Sequence, residues 1–185
     1  LLSAFLATGV VAAILAMVAS TWITKRWCKV AMFRWTQLLV GVLSLAMYLL
    51  VGPGDVALAF VFYFLICFVV DLHAPVFWSA VVESVDYGHA RAGTRVAGLA
   101  MGGISFCQKA GMGLAGAIVG MLLAGFGYVP DQPQSETALN GIALMLTLIP
   151  GVFHALMGGV MFFYRITDGY YQEIKRRILV DAPAP

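Results

Sequence analysis

The fold is decided by residues 56–70, which read VALAFVFYFLICFVV and contain no charged side chain. The apolar character continues past Asp71 and His73 to Val85. Such a stretch is long enough to cross the hydrocarbon core of a bilayer, which takes about 20 residues of helix. It lacks the alternation of apolar and polar residues that a membrane-spanning barrel strand requires. Residues 56–85 are therefore predicted to form a transmembrane helix.

The composition extends this prediction to the whole chain. Of the 185 residues, 62% are hydrophobic and 11% are charged, against roughly 45–50% and about 25% in soluble domains. These fractions exclude the soluble class. The net charge of +2 gives no strong field for a polyanion, which excludes the nucleic-acid-binding class. The three cysteines show no C-x-x-C spacing, so we expect neither a disulfide framework nor a metal site.

Five apolar runs are long enough to span a membrane. They cover residues 1–23, 31–51, 56–85, 96–126 and 141–164. The sequence therefore predicts an all-α membrane protein, with a transmembrane portion over 1–164 and a cytoplasmic tail with a short interfacial helix over 165–185. The chain begins with Leu1 rather than Met, and we expect it to be a piece of a longer protein.

The basic residues predict the orientation, because Lys and Arg near short loops stay on the cytoplasmic side. Ten of the eleven lie in or beside the first and third connections and in the tail: Lys25, Arg26, Lys29, Arg34, Arg91, Arg95, Arg165, Lys175, Arg176 and Arg177. The only charged residues in the second and fourth connections are acidic. The N-terminus is therefore predicted to lie outside and the C-terminus in the cytoplasm.

Two charges are predicted to lie inside the membrane, Lys109 in the fourth run and Asp71 in the third. Each is about 20 Å from the cytoplasmic end of its helix at 1.5 Å per residue. A charge at mid-helix costs about 2.5–3.5 kcal/mol on insertion scales, so it normally faces protein or a watery cavity. We hypothesise that the two form a pair, directly or through water. The alternatives are a snorkelling lysine and a locally satisfied carboxylate.

The surroundings of both charges suggest function. Pro75 predicts a broken or kinked helix beside Asp71, and Trp78, on the same predicted face as Asp71, either stacks on a sugar ring or anchors packing. His73 and His154 are expected to be packed or hydrogen-bonded. One face of the helix around Lys109, here called the glycine face, consists of Lys109 and six small residues: Gly98, Gly102, Ser105, Gly113, Gly116 and Gly120. This face predicts either close helix packing or a moving wall of a transport pathway.

Glu83 and Asp86 stand at the predicted cytoplasmic end of a helix, where carboxylates oppose the helix dipole and need cationic partners. Arg91, Arg95 or Arg26 would supply them. Such pairs predict a conformational latch that forms in one state of the protein and breaks in another. The alternative is a solvated loop held by weak surface pairs.

The stretch 78–88, WSAVVESVDYG, is followed by Gly93-Thr94-Arg95 and Gly98-Leu99. This pattern resembles the cytoplasmic motif before the eleventh helix of the glycoside-pentoside-hexuronide:cation symporters, a family of the major facilitator superfamily. Gln108-Lys109 with Gly111 resembles that helix, and residues 127–142 and 164–174 resemble the last external loop and the tail. The ordered matches cover about residues 78–178.

The resemblance implies that the five runs are helices eight to twelve of a twelve-helix fold, whose N-terminal half-bundle is absent from this sequence and would be its partner. It implies symport of a sugar or glycoside with Na⁺ or H⁺ by alternating access in a bacterial inner membrane, without a cofactor or a catalytic residue. Lys109 would lie near the sugar and cation sites, and Asp71, Trp78 and Gln108 complete the predicted pathway. Glu83, Asp86, Arg91 and Arg95 form the predicted cytoplasmic gate.

Two other classes stay open. A membrane-embedded enzyme would use Asp71, His73 and His154 as acid–base groups, although the sequence contains no H-E-x-x-H, G-x-S-x-G or P-loop spacing. A helical scaffold that does not transport is the other.

Overall fold

A computed structural model of the chain describes residues 1–181, which fold into helices joined by short turns. The helices are α1 (Leu2–Ile23), α2 (Lys29–Leu50), α3 (Val56–Leu72), α4 (Ala74–Ala92), α5 (Ala97–Gly125), α6 (Glu136–Leu146), α7 (Leu148–Val160) and α8 (Asp168–Asp181). The end of the predicted tail, residues 182–185, lies outside the described residues. The predicted all-α class is confirmed.

Five segments within the described range are long and apolar enough to cross a membrane, as predicted: α1, α2, α3 with α4, α5, and α6 with α7. Three predicted boundaries are wrong, one of them the end of the fifth span, which lies at Val160 rather than Tyr164. The third span does not end at Val85 but runs to Ala92, where Gly93 takes a left-handed conformation with φ of 70° and ends the helix. The fifth span begins at Glu136 rather than Gly141, because the Ser135 side chain caps it by accepting from the Ala138 amide.

Two of the spans are broken inside the predicted hydrocarbon region. The third breaks at His73, two residues before Pro75, which confirms the predicted interruption. Proline has no amide hydrogen, and its ring clashes with the carbonyl four residues earlier, here that of Asp71. The fifth breaks at Thr147, three residues before Pro150, and this break was not predicted.

The helices pack around α2 and α3. The closest neighbours are α2 with α7, α1 with α3 and α2 with α3, while α8 lies on α4. A core cluster of Ala16, Met32, Phe33, Leu72 and Val76 joins α1 and α2 to the α3–α4 break. Burial of these side chains fixes the break against two neighbouring helices.

Small residues let α2 and α7 approach closely, which predicts a stability effect at Gly151. A Cβ added there would lie 2.6 Å from the Ser44 Cβ, so we expect Gly151→Ala to lower the free energy of unfolding by about 1–3 kcal/mol. Gly116→Ala is the matched control, because it is also a mid-helix glycine and its Cβ would meet nothing within 4 Å. Thermal unfolding of the purified protein measures both, and equal shifts for the two variants would contradict the packing.

Helix α5 is the exception to this packing. It touches α4 and α6 only sparsely, and none of its residues, Ala97–Gly125, is buried. Cβ atoms added to the glycines of the glycine face would meet nothing within 4 Å. The close packing that the glycine spacing predicts as one alternative is therefore absent from the described part of the chain, and the glycine face is open.

The tail helix is present at Asp168–Asp181. Tyr171 and Ile174 of this predicted interfacial helix are buried, with Ile166, in a cluster against Tyr87 and Tyr164. These apolar side chains of α8 therefore pack on the protein, whereas an interfacial helix would place them against the membrane surface.

Candidate functional site

The end of the bundle that holds the α1–α2 turn, the α4–α5 turn and α8 is here called the basic end. Its centre is a buried carboxylate, Glu83 on α4, which is 3% exposed. Lys29, the first residue of α2, forms a salt bridge with Glu83 and also donates to the Ser79 hydroxyl at 3.1 Å. The Ser79 hydroxyl donates to the Glu83 Oε1 atom at 2.9 Å. A carboxylate this buried requires such partners, because an unpaired charge in the interior is costly.

Asp168 joins the tail helix to the same lysine. Its Oδ2 atom accepts from the Lys29 backbone amide at 3.1 Å, and its Oδ1 atom lies 3.4 Å from the Lys29 Nζ atom. The amide at the start of a helix has no partner within that helix, so the Asp168 carboxylate satisfies it and also meets the positive end of the α2 dipole.

A second ion pair lies beside the first. Arg95 contacts Asp86 at 3.2 Å between nitrogen and Oδ1, and the Tyr171 hydroxyl donates to the Asp86 Oδ2 atom at 2.7 Å. The left-handed Gly93 reverses the chain between α4 and α5, which lets Arg95 reach back to Asp86. Burial and the hydrogen bond to Asp86 raise the pKa of Tyr171, so its hydroxyl stays protonated and keeps donating.

Lys29, Glu83, Asp86, Arg95 and Asp168 are here called the ionic cluster. The Lys29 ammonium lies 5.9 Å from the centre of the Tyr171 ring, so Tyr171 connects its two halves. Of the predicted gate residues, the structure brings Glu83, Asp86 and Arg95 into this cluster. Arg91 lies instead over the Tyr87 ring at 5.1 Å.

Arg26 is exposed and has no carboxylate partner among the described residues. Lys29 and Asp168, which the sequence did not assign to the gate, supply the contacts instead. The sequence shows a basic and an acidic residue at these two positions. It does not indicate that the first turns of α2 and α8 lie next to each other.

The predicted pathway residues are spread over three helices. Asp71 is half-buried in the last turn of α3, Trp78 is 48% exposed on α4, and Gln108 and Lys109 are exposed on α5. No ion pair joins Asp71 to Lys109 in the described part of the chain, so the direct form of that hypothesis is not realised here. The reason is packing, since α5 rests on α4 and α6 while α3 rests on α1 and α2.

A polar contact between two of the candidate spans joins α2 to α7. The fully buried Gln37 of α2 accepts through its Oε1 atom from the His154 Nδ1 atom of α7 at 2.5 Å. His73, at the α3–α4 break, packs edge-on against Phe33 with 4.8 Å between ring centres. The prediction that both histidines are packed or hydrogen-bonded is thus confirmed.

This contact predicts a modest stability effect. Gln37→Leu removes the acceptor and leaves the His154 nitrogen unpartnered, so we expect a loss of about 1 kcal/mol in the free energy of unfolding, typical of a hydrogen bond between membrane helices. The double variant Gln37→Leu/His154→Phe should recover part of that loss, because no buried polar group is then left without a partner. Thermal unfolding measures both variants and the single variant His154→Phe, which completes the comparison. Strictly additive losses would show that the two side chains are not coupled.

The chain is similar to a known protein family and to several known proteins. The family profile that matches it is described as MFS/sugar transport protein, and the match covers residues 1–168. The inner membrane symporter YicJ of Escherichia coli (strain K12) is 32% identical over 154 residues, which cover 83% of this chain and 33% of that protein. The isoprimeverose transporter of Lactiplantibacillus pentosus is 32% identical over 177 residues, which cover 91% of this chain and 34% of that protein.

A third relative, the glucuronide carrier protein homolog of Escherichia coli (strain K12), is 32% identical over 99 residues, which cover 54% of this chain and 22% of that protein. The chain thus spans about a third of the length of the first two relatives. Together with the five candidate spans, these matches show a multi-pass membrane protein.

Proposed function

Because the chain belongs to the MFS/sugar transport proteins, and among them to the glycoside-pentoside-hexuronide:cation symporters, we propose that it works as the C-terminal part of a secondary active transporter. The whole transporter would move a sugar or glycoside together with Na⁺ or H⁺ by alternating access. Its partner within the protein is an N-terminal half-bundle, which closes the other side of the pathway.

We propose that the basic end faces the cytoplasm of a bacterial cell and that the protein lies in the inner membrane. Ten of the eleven basic residues flank the connections at this end or lie in the tail, as the positive-inside rule requires. In this orientation the start of α1 is outside and α8 is in the cytoplasm.

One observation carries the transport proposal: Lys109 is exposed on the open glycine face of α5, at membrane depth, with no ion-pair partner in the described residues. A lysine there is costly against lipid and is tolerated beside water. The open face of α5, together with Asp71, Trp78 and Gln108, is therefore the wall that we assign to the hydrated pathway. The two broken helices fit this role, since helices interrupted at membrane depth commonly line transport cavities.

The ionic cluster is then the cytoplasmic gate. Its pairs tie α4 to the starts of α2, α5 and α8, so they hold that end together in the conformation described. Opening towards the cytoplasm would separate some of these pairs, and each broken pair would leave a charge to be rehydrated. The gate therefore contains Lys29 and Asp168 in addition to Glu83, Asp86 and Arg95, while Arg91 stands outside it.

The transport proposal is tested with the full-length symporter that contains these 185 residues. Reconstituted into vesicles, it should exchange labelled glycosides in counterflow, and uptake should rise with an inward gradient of Na⁺ or H⁺. Lys109→Met is expected to lower the gradient-driven uptake by at least about a factor of ten. A panel of glycosides that shows no counterflow and no response to either ion would overturn the proposal.

The gate predicts the behaviour of Asp86→Asn. The change weakens the contact with Arg95 and leaves the Tyr171 hydroxyl an acceptor, so we expect the closed cytoplasmic end to lose stability and a cysteine placed in the pathway to react several-fold faster with a reagent added from the cytoplasm. Glu173→Gln is the matched control, because its exposed pair with Arg177 lies within the tail helix. Unchanged reactivity in Asp86→Asn would contradict the gate.

A further inference from the structure

The turn between α1 and α2 presents an unusual set of exposed side chains. Three of the four tryptophans of the chain surround it: Trp22 is 71% exposed, Trp27 is 62% exposed and Trp35 is 58% exposed. Lys25 and Arg26, between the first two, are also exposed. Large aromatic side chains that are this exposed favour an apolar or interfacial environment over water, because contact with water is unfavourable for their apolar surface.

The backbone of the turn is held tightly, so the set is displayed on a fixed scaffold. The amides of Arg26 and Trp27 both donate to the Ile23 carbonyl, at 3.0 and 2.9 Å. The Thr24 hydroxyl donates to the Ser20 carbonyl at 2.8 Å. Neither basic side chain takes part in these bonds, so both are free to bind a ligand.

The charge at this turn is uncompensated. Residues 21–29 contain no Asp or Glu, and Lys25 and Arg26 make no ion pair with any described residue. Lys29, at the end of the same turn, forms salt bridges with Glu83 and Asp168. Two exposed cations therefore lie between Trp22 and Trp27 in the sequence, without an acidic partner among the described residues.

The helices on either side of the turn carry exposed apolar side chains. Both α1 and α2 pack on α3, yet they make little contact with each other although a short turn joins them. Exposed apolar side chains lie on both helices near the turn, Val18 and Trp22 on α1 and Trp35 and Leu39 on α2. Exposed apolar side chains of both helices thus flank a basic turn.

We propose that this turn is a binding site for an anionic phospholipid. Lys25 and Arg26 bind the phosphate of the head group, the tryptophans lie at the level of the glycerol and ester groups, and an acyl chain lies along the exposed apolar side chains of α1 and α2. Aromatic rings occupy that level of the bilayer, and basic residues beside the cytoplasmic leaflet attract its anionic lipids. The inference uses the orientation proposed above but does not depend on transport.

Lipid binding to the full-length protein tests the site directly. In native mass spectrometry with phosphatidylglycerol as the probe, we expect Lys25→Gln/Arg26→Gln to weaken binding about tenfold or more, given the contribution of each basic residue near an anionic surface. Phosphatidylcholine should bind weakly to both proteins. Excess inorganic phosphate should not displace phosphatidylglycerol, which would show that the acyl chain contributes.

The matched control is Lys175→Gln/Arg176→Gln, which removes the same charge from exposed positions of the tail helix. Equal losses in the two double variants, or no loss in the turn variant, would overturn the proposal. Displacement by inorganic phosphate would also overturn it, in favour of a free-anion site. Counterflow measured in parallel keeps this outcome separate from a failure of the transport proposal.

Discussion

Replacing Lys29 by methionine is expected to lower the free energy of unfolding by about 3 kcal/mol, the largest stability effect in this part of the protein. Removing one partner of a buried ion pair strands the other charge, which typically costs about 3–5 kcal/mol. The Lys29 side chain is 26% exposed, so we expect the lower part of that range. Ser79 still donates to Glu83 but cannot replace a cation.

The design needs two companion variants. Lys25→Met is the matched control, because Lys25 is exposed and unpaired in the described residues, and it should change stability by less than about 0.5 kcal/mol. Lys29→Met/Glu83→Leu removes both charges, so it should regain most of the lost stability. Thermal unfolding of the full-length symporter measures all three.

The same double variant separates a gate from a purely structural pair. If the ionic cluster is a gate, Lys29→Met/Glu83→Leu should be stable, yet its cytoplasmic end should respond differently to substrate, seen as altered cysteine reactivity. Wild-type reactivity in a stable double variant would reduce the pair to a structural contact. A Lys29→Met protein as stable as Lys25→Met would contradict the buried pair itself.

Replacing Lys109 by methionine is expected to lower transport without lowering stability, in contrast to the loss of stability in Lys29→Met. Gradient-driven uptake should fall by at least about a factor of ten, which corresponds to about 1.4 kcal/mol, while the thermal stability stays at or above that of the wild type. The ammonium makes no ion pair in the described part of the chain, and its cost at membrane depth disappears with the charge. Stability gained and transport lost together identify a functional charge.

Met112→Ala is the control for this experiment, because Met112 is 63% exposed on the same helix one turn away and carries no charge. It should transport at nearly the wild-type rate. Full uptake in Lys109→Met would exclude a role for the ammonium. A large loss of stability would instead reveal a partner for Lys109 outside these residues, such as one in the N-terminal half-bundle.

The membrane-spanning architecture was predictable because the spans are recorded locally, as long apolar runs. The break at His73 was predictable for the same reason, since Pro75 removes an amide in its own helix. Pro150 gives the same indication for the break at Thr147, although that break was not predicted. The continuation of α4 to Ala92 was missed because a helix that leaves the membrane becomes polar and resembles a loop in composition.

The partners in the ionic cluster were harder to predict. Arg95 and Asp86 are close in sequence, and their pairing was among the expected ones. Lys29 with Glu83 and with Asp168 joins residues 54 and 139 positions apart, and such contacts depend on how three helices are oriented. The charges alone named the candidates at that end, but only the packing of α2, α4 and α8 selects among them.

The most direct test of the account is the water accessibility of position 109 in the full-length symporter. In a cysteine-free background, with Cys28, Cys67, Cys107 and any cysteine outside these residues replaced by serine, Lys109→Cys should react with a membrane-impermeant thiol reagent, and bound glycoside should slow the reaction. Val42→Cys, also exposed on a spanning helix, should stay unreactive in lipid. A Lys109→Cys protein that reacts from neither side of the membrane, with or without substrate, would contradict a hydrated pathway along the glycine face of α5.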